Sequence, residues 1–475
     1  MKRFMTRRQI LQDAGVGFGA MALNSILQQQ KLFGAETSGA KQKFYDLKPK
    51  APMFPAKAKR VIFIYVGGGP STIDMWDPKP TLVKYNGKPA PFEIKGRALN
   101  GSQQIMASPW GFKTCGESGR EVSDLLPHFQ KVVDKVTFVR SMTTDRIDHS
   151  TAQFTFVTGR GFTGFPAIGS WVNYALGTEN QNLPGYIALG NGASIGDRAH
   201  SSAWLPPIFN GTSMRADAKA PIFDIKRPDG MSGDQQRRLL DMVEELDRQQ
   251  KVVYPLDQEL ESRIANYELA ARMQLEALKV ADLDQESEET KKLYGLDQKV
   301  AGPFSKLCLM ARRLAERDVR FVQIYAGGGG NWDTHNNIEG QLPGLCEYID
   351  QGMSGLLVDL ERRGMLKDTL VVWSGEFGRL PTIEAKNSKP GRDHNPYGFS
   401  MWMAGAGLQP GFDYGQTDEL GYSAAHDFKT THWDIHATVQ HLLGLDYKKN
   451  TFPYEGRDES LVGVQQARVL KELFA

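Results

Sequence analysis

Arg60-Val61-Ile62-Phe63-Ile64-Tyr65-Val66 is an apolar run behind a single arginine, and it empties into Gly67-Gly68-Gly69-Pro70. A run this short suits a strand covered on both faces, and the glycines end it in a tight loop. The pattern recurs. Residues 132–140 predict a second strand, and residues 320–325 a third that again ends in glycines, at 327–330. Residues 368–373 predict a fourth, running into Ser374-Gly375-Glu376, and residues 399–404 a fifth. Between the third and fourth, residues 346–363 carry Ile349, Met353, Leu356, Leu357 and Leu360 at helical spacing. Strands alternating with helices predict an α/β fold with a mostly parallel sheet covered on both faces. Functional groups in such sheets gather beyond the carboxyl ends of the strands. Three of these strands end in loops bearing Asp, His or Glu.

Outside this core the composition changes. Residues 233–296 are rich in Gln, Glu, Leu, Arg and Ala, with Pro255 as the one breaker before Gly295. They predict two or three amphipathic helices, an insertion serving as lid or packing arm. Residues 36–59 read as a polar linker and strap, residues 60–462 as the α/β domain, and residues 463–475 as a C-terminal helix. At the other end, Lys2, Arg3, Arg7 and Arg8 precede a Gly-rich apolar stretch, and Phe33-Gly34-Ala35 offers small residues before Glu36. That order is the layout of an export signal over residues 1–35. Thr6-Arg7-Arg8-Gln9-Ile10-Leu11-Gln12 resembles the twin-arginine consensus, which implies the twin-arginine translocase as a partner and a periplasmic or extracellular destination. An uncleaved signal would serve as an anchor.

The formal net charge of +2 argues against nucleic acid as a partner. Cys115, Cys308 and Cys346 have no paired spacing, so they build neither a disulfide framework nor a zinc ribbon. Carboxylates and imidazoles dominate the loops instead. Asp333 and His335 follow the third strand, Glu376 the fourth, and Asp393 and His394 lie in the polar loop beyond it. Asp148-His149-Ser150-Thr151 precedes an apolar run ending in Thr158-Gly159-Arg160. Asp and His converging from different loops are the usual ligands of zinc, manganese and related hydrolytic metals.

The blocks Gly67 to Asp74, Asn331 to His335, Gly375 to Arg379, Gly391 to Gly398 and His432 to Leu445 resemble the alkaline phosphatase, sulfatase and cofactor-independent phosphoglycerate mutase superfamily. More closely, they resemble its domain-of-unknown-function family 1501, over residues 57–462. The resemblance implies a three-layer sandwich and an exported hydrolase of phosphate or sulfate esters. It implies divalent ions (Zn, Mn, Mg or Ca) and an anionic ester substrate such as a sulfated or phosphorylated polysaccharide. A non-catalytic binding protein on the same fold is the alternative. By position, Asp333, His335 and His394 resemble ligands of a first metal, and Asp74 and Glu376 of a second. Asp393 fits either site, or a supporting role behind His394. Arg379 and Arg392 are candidate clamps for the ester. Three departures stand out. Gly67 and Gly68 replace an acidic ligand, Phe377 follows Glu376 where relatives carry His or Asn, and the nucleophile's place falls on His149. That residue is a candidate ligand, general base or nucleophile, with Ser150 and Thr151 as neighbouring hydroxyls. No cysteine lies near enough for formylglycine chemistry. His436 and His441 read as structural, while His432 is open between packing and lining the site.

Export is expected to require the arginine pair. In cell fractionation, a variant with Arg7→Lys and Arg8→Lys should remain in the cytoplasm as precursor. Export of that variant at the wild-type level would refute the twin-arginine reading.

Overall fold

In β1 (Arg60–Tyr65), Val61, Phe63 and Tyr65 enter one apolar layer and Ile62 and Ile64 the other. A pleated strand imposes this alternation, and both of its faces are covered. The computed structural model describes residues 45–93, 103–190, 195–216, 220–222, 225, 227–253, 258–327, 332–384 and 389–475. The export segment 1–35, residues 36–44 of the linker, the loop glycines 328–330 and Asn331 lie outside the described residues.

The remaining strands of the central sheet are β2 (Val136–Thr143), β3 (Tyr186–Leu189), β4 (Thr212–Met214), β5 (Phe321–Tyr325), β6 (Thr369–Ser374), β7 (Phe399–Ala404), β8 (Phe412–Tyr414) and β9 (Thr430–Thr431). Their order is β8-β2-β7-β6-β1-β5-β3-β4, with β9 paired to β2. Strand β7 runs antiparallel to β2 and β6, and the other pairings are parallel. On one face lie α1 (His149–Thr158), α2 (Ile168–Leu176) and α8 (His432–Leu442), packed on the odd-numbered side chains of β1. On the other lie α6 (Gly302–Glu316) and α7 (Ile338–Arg362), packed on the even-numbered ones. The chain is a three-layer α/β sandwich with a mostly parallel sheet, as expected.

The insertion forms α3 (Gly233–Val253), α4 (Gln258–Ala281) and α5 (Glu288–Tyr294). Ala277, Val280, Ala281 and Tyr294 join the apolar layer of α6 and α7, and Leu269 and Met273 pack on Ile225. It is a packing arm on the helical layer. The second strand starts four residues later than its sequence suggests, because Val133–Lys135 is a 3-10 turn. Residues 463–475 contain a 3-10 turn at Lys471–Leu473 and not the expected helix. Their backbone groups are engaged elsewhere: Arg468 N–H donates to Asp434, Leu470 N–H to Thr438, and the Leu473 carbonyl accepts from Gln409. The strap at 45–59 is tied down likewise, with Lys50 N–H on the Leu176 carbonyl and Met53 N–H on that of Gly444.

The loop after β1 is locked to the loop ahead of His394 by a buried ion pair. Arg392 donates from Nε to Asp74 Oδ2 at 2.8 Å and from Nη2 to Oδ1 at 3.0 Å, and Ser71 Oγ donates to Oδ2 at 2.5 Å. Both charged side chains are fully buried. Removing one partner would strand the other charge in a low-dielectric interior, at a cost of about 3–5 kcal/mol. Asp74→Ala should therefore lose about that much in urea unfolding. A loss under about 1 kcal/mol would show that the pair does not hold these loops.

Candidate metal centre

Three loops that follow strands of the central sheet meet at one point. His149 opens α1, whose first turn is capped by Asp148 accepting from Thr151 N–H at 3.0 Å. Asp333 and His335 follow β5, and Glu376 follows β6. His394 sits in a two-residue strand, His394–Asn395, paired antiparallel with Gly378–Arg379. The ring nitrogens Nε2 of His149, His335 and His394 lie 3.1, 2.9 and 3.2 Å from Asp333 Oδ1. The Nε2 atoms of His335 and His394 are 3.0 Å apart. Arg379 Nη2 donates to the same Asp333 oxygen at 2.6 Å.

The other nitrogen of each ring has its own acceptor. His149 Nδ1 lies 2.7 Å from Glu376 Oε1, His394 Nδ1 lies 2.6 Å from the Ile147 carbonyl, and His335 Nδ1 contacts Glu384 Oε2. With Nδ1–H committed to those acceptors, three Nε2 lone pairs and a carboxylate oxygen face one another. His149 Nε2 is buried and makes no hydrogen bond of acceptable geometry. Tetrahedral zinc with bonds of about 2.0–2.1 Å separates its ligand atoms by roughly 3.3 Å, close to the spacings here. The three imidazoles and one carboxylate suit zinc and its first-row neighbours. The donor set fits a divalent ion, held by His149, Asp333, His335 and His394.

Without a cation, protons must balance this charge. Burial lowers the His149 pKa, but the adjacent Asp333 and Glu376 carboxylates outweigh it and raise it to about 9. His335 is raised by its hydrogen bond to Asp333, against burial and helped by Glu384. His394 is lowered by burial, which its hydrogen bond to Asp333 does not overcome. Burial pushes Asp333 up, yet hydrogen bonds from the three histidines and the Arg379 charge hold it far below the ordinary carboxylate range.

The structure brings together Asp333, His335, His394 and His149, and it sets Asp393 with His335 and Glu384 in a second group whose atoms could hold an ion, while Asp74 and Glu376 stand outside both. Asp74 is outside the group, because Arg392 occupies both its oxygens. Glu376 stands one layer back. It is buried and accepts from Tyr65 Oη at 2.9 Å and Gly68 N–H at 2.8 Å as well as facing His149. Gly68 thus supplies a donor where an acidic ligand was expected. Gly69 has φ +67°, and a side chain there would meet the Phe377 ring at 2.6 Å, so the close pass beneath Phe377 requires glycine. Asp393 accepts the N–H of His394 at 2.7 Å and stands 3.7 Å from His335 Nδ1.

Neither arginine is an open clamp. Arg379 donates to the carbonyls of Gly68, Gly69, Trp332 and Arg392, and Arg392 is taken up by Asp74 and the Leu380 carbonyl. Asp148 caps α1 and leaves the orienting of His149 to Glu376. Thr151 Oγ1 is bound to Asp148, whereas Ser150 is exposed. His432 packs between Phe156 and Phe399, and burial pushes it down to about 3. His436 donates to the Phe156 carbonyl, and His441 packs on Phe54 and Phe474. Glu384 was not apparent from sequence, since it does not directly follow a predicted strand and sits 49 residues from His335.

Cation binding must displace the protons on His149 and His335, so apparent affinity should rise with pH up to about 9. Below that range it should fall by about tenfold per pH unit for each proton displaced. Calorimetric titration with Zn²⁺ at pH 7, in two buffers of different ionisation enthalpy, should show proton release. Affinity that does not change between pH 6 and 9 would contradict this electrostatic picture.

No curated protein matches the sequence. Among solved structures, the chain is similar to the lipoteichoic acid synthase LtaP from Listeria monocytogenes, with 9% identity, 88% of this chain and 78% of that one covered, and a TM-score of 0.34. It is similar to the PsFucS1 sulfatase from Pseudoalteromonas sp., with 11% identity, coverages of 86% and 72%, and a TM-score of 0.33. It is also similar to alkaline phosphatase from the Antarctic bacterium TAB5, with 12% identity, coverages of 77% and 94%, and a TM-score of 0.28. Likenesses this loose transfer no residue role. The family described as "Protein of unknown function (DUF1501)" matches residues 58–474, and the chain belongs to that family.

Proposed function

We propose that this chain is a metal-dependent hydrolase of phosphate or sulfate esters, with one metal centre held by His149, Asp333, His335 and His394. The observation that carries the reading is the openness of the quartet. The side chains of His149, Asp333 and His335 each keep 22% of their surface exposed. A purely structural metal site is closed by its ligands, whereas a catalytic one keeps a face open. A divalent ion held there supplies Lewis acidity, polarising an ester oxygen and offsetting the charge that develops as the ester bond breaks.

The chain's own residues have separable tasks. Glu376 and the Ile147 carbonyl fix the rings of His149 and His394. Arg379 fixes Asp333 and, being committed to four carbonyls, keeps it from rotating. His149 has Nδ1 on Glu376 and Nε2 given to the metal in this reading, and Thr151 is committed to its cap, which leaves Ser150 as the side-chain nucleophile. Ser150 lies in the first turn of a ten-residue helix, where backbone N–H groups favour an anion. The substrate class is an anionic ester such as a sulfated or phosphorylated polysaccharide, which rests on the family resemblance of the sequence. Twin-arginine export belongs to the same proposal, since that pathway carries folded proteins with their metal in place.

Metal-loaded protein should hydrolyse aryl phosphate or aryl sulfate esters, and Asp333→Ala should lower both metal occupancy and turnover, the latter by about 10²–10³-fold. Ser150→Ala should lower turnover with metal content unchanged. A loaded wild type that turns over none of these esters would favour the binding-protein alternative. An unaffected Ser150→Ala would leave water as the attacking group.

A further inference from the structure

A carboxylate outside the donor quartet touches one of its rings. Glu384 is buried, and its Oε2 contacts His335 Nδ1. Its backbone is fixed as firmly as its side chain. Glu384 N–H donates to the Gly391 carbonyl at 2.9 Å, forming an antiparallel bridge. From there the returning chain lies along the segment that carries His335. Asn337 N–H donates to the Lys389 carbonyl at 3.2 Å, Ile338 N–H to that of Pro390 at 3.0 Å, and Arg392 N–H to that of Thr334 at 3.0 Å. The two backbones run so close that a side chain at Gly391 would meet the His335 carbonyl carbon at 2.2 Å. Glu384 and His335 are thus held in register by main-chain bonds on both sides of their contact.

We infer that Glu384 is the positioning residue for His335, holding the proton on Nδ1 so that the Nε2 lone pair faces the metal. This rests on the metal reading of the quartet and goes beyond it. An imidazole has two nitrogens of similar affinity for metal, and the hydrogen bond at one decides which remains available. A carboxylate partner also makes the ring a stronger donor, and losing such a partner typically costs 10–100-fold in metal affinity. Asp393, at 3.7 Å from Nδ1, is too far for a hydrogen bond and binds the His394 N–H instead. Two of the three rings therefore lean on buried carboxylates and the third on a carbonyl. His149 leans on a carboxylate reached by Tyr65, Gly68 and Gln153, His394 on a neutral carbonyl, and His335 on Glu384.

The test uses full-length protein loaded with Co²⁺ or Zn²⁺. Glu384→Ala should bind Zn²⁺ about 10–100-fold more weakly in competition with a chromophoric chelator. Glu384→Gln, which keeps an acceptor oxygen but no charge, should fall between it and the wild type. The visible absorption of the Co²⁺ form should shift in both variants, a change that a merely structural role would not produce. Because Glu384→Ala could fail to fold, a second measurement uses wild type. In ¹⁵N NMR of the Zn²⁺ form, His335 should show a protonated Nδ1 and a metal-bound Nε2. Folded variants with wild-type affinity and an unchanged Co²⁺ spectrum would overturn the inference, as would a metal-bound Nδ1 on His335. A wild type that binds neither metal would instead overturn the metal reading itself.

Discussion

One oxygen atom organises the functional end of this protein. Asp333 Oδ1 lies within 2.6–3.2 Å of Arg379 and of three imidazole nitrogens drawn from three separate segments. Burial pushes the pKa of a carboxylate so placed upward, but the surrounding rings and the Arg379 charge hold it far below the ordinary carboxylate range. The loops around it are arranged to keep it there. Arg379 reaches it from a short strand whose partner carries His394, and the same guanidinium ties down Gly68 and Gly69 after β1. A displacement of Asp333 would leave Arg379 and the three rings without their common acceptor.

The sheet explains why these segments meet. β1, β5 and β6 are adjacent and parallel, so the loops after them open on the same edge. β2 reaches that edge from beyond β7 and delivers α1 with His149 at its first position. The rigid parts lie behind the rings. Glu376 is fully buried and receives donors from β1, the loop after it and α1. The Asp74–Arg392 pair stitches the β1 loop to the residues just before His394. The layer toward solvent contains the open donor atoms, and the layer beneath contains groups whose bonds are complete. That division suits a site in which the supporting shell must not move while a ligand exchanges.

Much of this was legible in the sequence, for physical reasons that differ by element. The five strands were readable because a doubly covered strand is a continuous apolar run, and such runs are hard to mistake when glycines end them. Asp333, His335 and His394 were readable because parallel sheets present their chemistry beyond strand ends. His149 was expected near the centre as ligand, base or nucleophile, and the geometry favours the ligand. Asp74 was misassigned because its partner, Arg392, is 318 residues away and no local pattern announces a buried ion pair. Glu376 follows its strand as a ligand would, but Tyr65, Gly68 and Gln153 draw it one layer back. Glu384 had no periodic or positional signal, since its place depends on a strap crossing the His335 segment. The C-terminal residues have helical composition, yet donors and acceptors on Asp434, Thr438 and Gln409 outcompete a helix of their own.

The central claim is that four donor atoms on three loops share one cation. The most direct measurement is a crystal grown with Zn²⁺, with anomalous diffraction recorded on either side of the zinc edge. The account predicts one strong anomalous peak within about 2.0–2.2 Å of Nε2 of His149, His335 and His394 and of an Asp333 oxygen. Zinc bound elsewhere, with the three rings and Asp333 still closed on one another, would contradict it.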